Sequence, residues 1–107
     1  MKTKQYRLPK SRPPTHPGEI LREEFMEPYG LTVTELADRL GIPRPRVSEI
    51  VNERRGVSAE TALLLSRAFG TTPEFWLNGQ IRLDLWNALH GEAGQKLDAV
   101  EPVVRTD

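Results

Sequence analysis

The stretch Val33–Asn52, VTELADRLGIPRPRVSEIVN, decides how the chain is read. Thr32 precedes it and Glu35 follows three residues later, a capping-box pattern that opens a helix. Leu36, Ala37 and Leu40 give that helix an inward face, and Gly41 closes it where a tight turn calls for positive φ. A second helix is expected over roughly 43–52, with Pro43 and Pro45 in its first turn, where backbone N–H groups lack an intrahelical partner. Pro45 biases Arg44 away from the α region, so an irregular start is expected. Val47, Ile50 and Val51 supply the buried side.

Ala37, Gly41 and Val47 lie at separations of four and six. Two helices that cross steeply need a small residue where their backbones approach, glycine in the turn, and a branched apolar residue that pins the second helix. Leu36, Leu40 and Ile50 fill the same wedge. An ordinary helical hairpin satisfies this spacing too, but the outward residues of the second helix favour DNA. Arg44 suits a bidentate bond to a guanine edge, Ser48 donates or accepts, Glu49 accepts from a cytosine amino group, and Pro45 meets a thymine methyl. Arg46, Asn52, Arg54 and Arg55 suit phosphates, as do Thr32 and Thr34 at the start of the first helix.

Outward from this motif the chain reads as all-α, with five short helices. The first runs about 17–28, with Pro17 in its opening turn, Glu19 near the positive helix end, and apolar Ile20, Leu21, Phe25 and Met26. His16 is expected to help cap it. A fourth starts at Ser58 and stops at Gly70. The fifth starts after Thr72, with Pro73 and Glu74 as N-terminal signals, and continues to Leu89. It is apolar on more than one side, which a helix covering a single core does not need. Phe75, Trp76, Ile81, Leu85, Trp86 and Leu89 are therefore expected to face a two-fold partner, although a fully buried helix reads the same way.

Residues 1–15 read as a basic, flexible arm, residues 16–89 as the folded domain, and residues 90–107 as a mostly disordered tail in which Val100, Val103 and Val104 can form a short strand or docking segment. The arm can track DNA, fold onto a protein partner, or simply solubilise the chain. Formal net charge is zero over 107 residues, yet distribution outweighs the sum. Basic residues gather in the arm and from Arg39 to Arg55, whereas Glu19, Glu23, Glu24 and Glu27 gather on the first helix.

Other function classes are disfavoured. The chain has no cysteine, which excludes disulfides and thiolate metal sites and fits a reducing cytoplasm. His16 and His90, the two histidines, match no trusted metal spacing. Ser48, Ser58 and Ser66 have no histidine placed to activate them, so no enzyme and no cofactor are expected. No apolar run reaches the ~20 residues of a membrane span, and no apolar segment follows the basic N-terminus as in a signal peptide. Phe75, Trp76 and Trp86 can line a ligand pocket, but such residues more often form core and interface. A module that only binds protein is disfavoured by the intact arginines.

HPGEIL at 16–21, LADRLGIPRPRVSEIVNERRGVSAETALLL at 36–65 and FGTTPEFWLNGQIRLDLW at 69–86 together resemble the Cro/repressor-like (XRE) helix-turn-helix domain, and more narrowly the HigA/VapI-type antitoxins. The resemblance spans His16 to Leu89. It implies a five-helix fold, a homodimer on a palindromic operator, and repression of its own operon. It also implies a partner, a HigB-like, RelE-like toxin that cuts messenger RNA. A stand-alone regulator without a toxin is the competing reading. Two departures bear on the residue map. Many relatives carry glycine where this chain has Glu53, so Asn52 is expected to take the left-handed conformation instead. General repressors often carry glutamine at the place of Val33, so a backbone phosphate contact is expected either to be missing or to shift to Thr32 or Thr34.

Overall fold

A computed structural model describes residues 12–106, and every regular element in that range is helical. Helix α1 (Pro17–Ile20) runs directly into a π-helical turn, Leu21–Met26, and then a 3-10 turn, Glu27–Tyr29. Helices α2 (Val33–Leu40), α3 (Arg44–Val51), α4 (Ala59–Phe69), α5 (Pro73–Leu89) and α6 (Glu92–Leu97) follow.

The first segment is thus not the uniform α-helix expected from the sequence. Its apolar residues explain why. Leu21 and Met26 are five apart and both buried. At 3.6 residues per turn such a pair diverges, whereas the wider π turn, with its i→i+5 bonding, brings them to one side.

Caps follow the sequence closely. The N–H of Gly18 donates to His16 Nδ1 at 2.9 Å, which fixes the start of α1. Thr32 and Glu35 complete the capping box, each side chain accepting from the other's backbone N–H at 3.1 Å. These bonds hold the Glu35 carboxyl below the usual carboxylate range, the backbone donor of Thr32 being the main cause. Ser58 caps α4 through the Thr61 N–H, and Thr72 caps α5 through the Phe75 N–H. Gly41 takes φ 69° at the turn between α2 and α3, a conformation costly for residues with a Cβ.

The core joins all five longer segments. Leu21, Met26, Leu36, Ala37, Leu40, Val47, Ile50, Val51, Val57, Ala62, Leu65 and Trp76 are buried as one cluster. Phe25 sits among Phe69, Phe75 and Trp76, with ring centroids 5.1, 5.9 and 5.1 Å away, separations at which tilted and edge-on pairs attract. The Trp76 indole N–H is satisfied by Thr71 Oγ1 at 2.7 Å. Gly18 sits so close to α3 that an added Cβ would lie 1.8 Å from the Ile50 carbonyl oxygen, so the backbones of α1 and α3 are in direct contact.

Beyond the core the structure departs from the expected tail. Residues 92–97 are a helix, α6, packed on α5, and residues 99–106 form no strand. Gly94 makes this packing possible, since a Cβ there would lie 1.9 Å from the Leu89 carbonyl oxygen. The expected arm lies mostly outside the described residues; its described part, residues 12–15, forms no helix.

Candidate nucleic-acid interface

Helix α3 carries the site. Pro43 is its extended N-cap, with φ −60° and ψ 140°, and Arg44 is already helical. Arg44 is thus helical despite the proline that follows it, and the extended residue is Pro43, so α3 begins one residue later than the expected start at 43. Val47, Ile50 and Val51 are buried, so the helical repeat puts Pro45, Ser48, Glu49 and Asn52 on the opposite side. Arg44 and Arg46 occupy the two flanks of that stripe. Of the candidate base-reading residues, Pro45, Ser48 and Glu49 therefore share the outward stripe and Arg44 borders it.

Most polar members of this surface are already engaged. Arg44 Nε donates to Thr34 Oγ1 at 3.0 Å, linking α3 to the first turn of α2. Asn52 Nδ2 donates to the Ser48 carbonyl oxygen at 2.8 Å and lies 3.3 Å from its Oγ. Arg55 Nε pairs with Glu49 Oε2 at 2.6 Å. Among the described residues Arg46 and Arg54 make no side-chain hydrogen bond or ion pair, which leaves both guanidinium groups open to an incoming anion. Thr32 Oγ1, by contrast, is committed to the capping box.

The loop after α3 departs from expectation at one residue. Asn52 keeps φ −93°, and Glu53 is the residue that turns left-handed, with φ 61°. Glu53 N–H donates to the Ile50 carbonyl and Arg54 N–H to the Glu49 carbonyl, which closes the end of α3 with the left-handed residue one position later than expected.

Two positioning contacts come from residues that the sequence did not single out. Arg22 donates through Nη1 to the Val51 carbonyl oxygen, and its other nitrogen lies 3.9 Å from Glu53 Oε2. Gln80 Oε1 accepts from the Val57 N–H at 2.9 Å while its amide donates to Asp84 Oδ1 at 2.9 Å. Gln80 thereby holds the loop that carries Arg54 and Arg55. Both contacts bridge more than 20 residues of chain, a distance over which local spacing carries no signal.

Helix α5 also divides as the sequence could not. Trp76 is 1% exposed and has no surface left for a partner, so it belongs to the core and leaves the expected interface. Phe75, Ile81, Leu85 and Leu89 remain 43%, 41%, 37% and 47% exposed, which excludes the fully buried alternative for this helix. Trp86 is half-buried and stacks on His90 with centroids 3.9 Å apart. A recess of about 350 Å³ lies between Tyr29, Leu31, Leu36, Arg39, Ala68 and Phe69. Among the described residues no helix is long and apolar enough to cross a membrane.

The profile of the helix-turn-helix family matches residues 23–76, which include α2, the turn and α3. The chain belongs to this helix-turn-helix family. It is 45% identical over 95 residues to an uncharacterised HTH-type transcriptional regulator of Haemophilus influenzae, covering 88% of this chain and 89% of the relative. It is 47% identical to antitoxin HigA-1 of Vibrio cholerae, with 71% of each chain covered. Among solved structures, antitoxin GraA in complex with its operator superposes with a TM-score of 0.81 at 44% identity, over 92% of this helix-turn-helix chain and 100% of that one.

Proposed function

We propose that this helix-turn-helix protein is the antitoxin of a toxin–antitoxin pair, and that it binds the operator of its own operon as a homodimer and represses it. The observation that carries the DNA reading is the outward side of α3, where Pro45, Ser48 and Glu49 lie between Arg44 and uncommitted Arg46 on the two flanks, with uncommitted Arg54 in the loop that follows. Arg44, Pro45, Ser48 and Glu49 read bases in the major groove, and Arg46 and Arg54 meet the flanking phosphates. Arg55 reaches phosphate through the nitrogens that Glu49 does not engage. Asn52 contributes by holding Ser48. The likeness to HigA-1 and to operator-bound GraA supports the antitoxin role, and the partner toxin is then a small HigB-like ribonuclease.

The dimer forms through the exposed part of α5. Ile81, Leu85 and Leu89 recur every four residues and so line one stripe of the helix, with Phe75 and Trp86 beside it. A two-fold pairing there sets two α3 helices about 34 Å apart, one turn of DNA. The chain works in the cytoplasm and carries no catalytic role in this scheme.

Two assays test it together. The first is a shift of the duplex upstream of its own reading frame. The second is purification of the tagged protein, co-expressed with the neighbouring frame and washed at high salt to strip nucleic acid. A specific shift with a stoichiometric small basic protein in the eluate is expected. A shift with a clean eluate makes the protein a regulator without a toxin, as the name of the Haemophilus relative allows. No shift refutes the DNA reading.

A further inference from the structure

Thr34 carries a hydroxyl on the first turn of α2. It is the second residue of α2, exposed, and not the cap, because Thr32 fills that role. A β-branched residue contributes little to an exposed helical position. Its Oγ1 is instead the acceptor for Arg44 Nε, ten residues away across the turn.

The choice of nitrogen matters. A guanidinium has five N–H donors, one on Nε and four on the two Nη atoms. Thr34 takes the Nε donor, which restrains the group, and neither Nη atom has a partner among the described residues. Two parallel Nη donors are the fork that a guanine O6/N7 edge accepts. Arg46, on the opposite flank of α3, has no such tether among the described residues and suits the less directional task of meeting phosphate.

We infer that Thr34 is a positioning residue for base recognition: it orients the Arg44 guanidinium for a guanine and is not itself a phosphate contact. This rests on the reading of α3 given above, and deepens it by assigning α2 a part in specificity. The contribution comes from preorganisation, since a long side chain held in its bound geometry loses less freedom on binding.

The test uses the full chain and the duplex upstream of its own reading frame, with each G·C pair replaced singly, at several salt concentrations. Arg44→Ala is expected to erase the preference at one G·C pair. Thr34→Val, which keeps the shape and removes the hydroxyl, is expected to weaken binding to the intact duplex by about three- to tenfold. It should have little effect on the duplex already changed at that pair, and it should leave the salt slope unaltered. Thr34→Ser should retain most of the wild-type affinity. An equal loss on both duplexes with the salt slope reduced by about one overturns the inference and makes Thr34 a phosphate contact. Unchanged binding by Thr34→Val, with thermal melting showing a folded protein, also overturns it. If Arg44→Ala weakens every sequence equally, the base-reading role of Arg44 fails and the role of Thr34 fails with it.

Discussion

Arg55 Nε lies 2.6 Å from Glu49 Oε2, so the acid on the outward side of α3 is neutralised by a base from the following loop. An acid facing DNA repels phosphates unless it finds a cytosine amino group or a cation. Both side chains are about half exposed, and an exposed pair contributes little to folding. Its consequence falls on binding. Glu49→Gln is expected to strengthen binding to all duplexes and steepen the salt dependence, while the ratio of operator to random DNA falls. Titrations of both duplexes at two salt concentrations check this, and an unchanged ratio would remove Glu49 from base reading.

Glu53 adopts φ 61°, where a residue with a Cβ is strained by about 1–2 kcal/mol. Its ion pair with Arg22 spans 3.9 Å on the surface and offsets little of that cost. Glu53→Gly is therefore expected to raise stability by about 1 kcal/mol, after allowing for the greater entropy glycine loses on folding. Urea unfolding measures it. A loss of stability would show that the Arg22–Glu53 pair outweighs the backbone strain.

These two relationships show where sequence reading succeeds and where it stops. Thr32, Gly41, Ser58 and Thr72 mark helix ends through bonds within three or four residues, so boundaries were legible. The outward stripe of α3 was legible because Val47, Ile50 and Val51 define its buried side. The left-handed residue is Glu53 and not Asn52, in a loop held by bonds from the distant Arg22 and Gln80 that local spacing does not reveal. The π turn is written in the five-residue spacing of Leu21 and Met26, which a 3.6-residue repeat does not accommodate. Trp76 passed for an interface residue because the helical repeat alone does not say which apolar side of α5 meets Phe25.

His16 links stability to pH. Its pKa lies below the ordinary 6.5, chiefly because burial disfavours the charged ring, with Glu53, Asp84 and Glu19 pulling the other way. The unfolded chain thus binds the proton more readily, and stability falls as pH drops from 6.5 through the lower folded value. Protonation at Nδ1 also removes the acceptor for the Gly18 N–H. Wild-type protein is expected to lose more melting temperature between pH 7.5 and 5.5 than His16→Asn, which keeps a capping oxygen and does not titrate. Parallel pH profiles for the two would assign the acid sensitivity to other groups.

The exposed stripe on α5 gives a prediction about assembly. Ile81, Leu85 and Leu89 are each more than a third exposed, whereas Trp76 and Leu83 on the same helix are buried. A charge at Leu85 therefore meets water in the monomer and costs little there, but would be desolvated without a partner inside a dimer. Leu85→Glu is expected to leave thermal stability of the isolated fold nearly unchanged and to halve the mass seen by light scattering. Trp86→Glu should also dissociate the dimer, yet it disturbs the stacking on His90, so its melting temperature should fall as well. DNA binding separates the remaining possibilities. A monomeric Leu85→Glu protein with an intact α3 should still bind a half-site at high concentration, but lose most of its affinity for the two-fold operator, because the second half-site no longer benefits from effective concentration. A dimeric mass for Leu85→Glu would move the interface off α5.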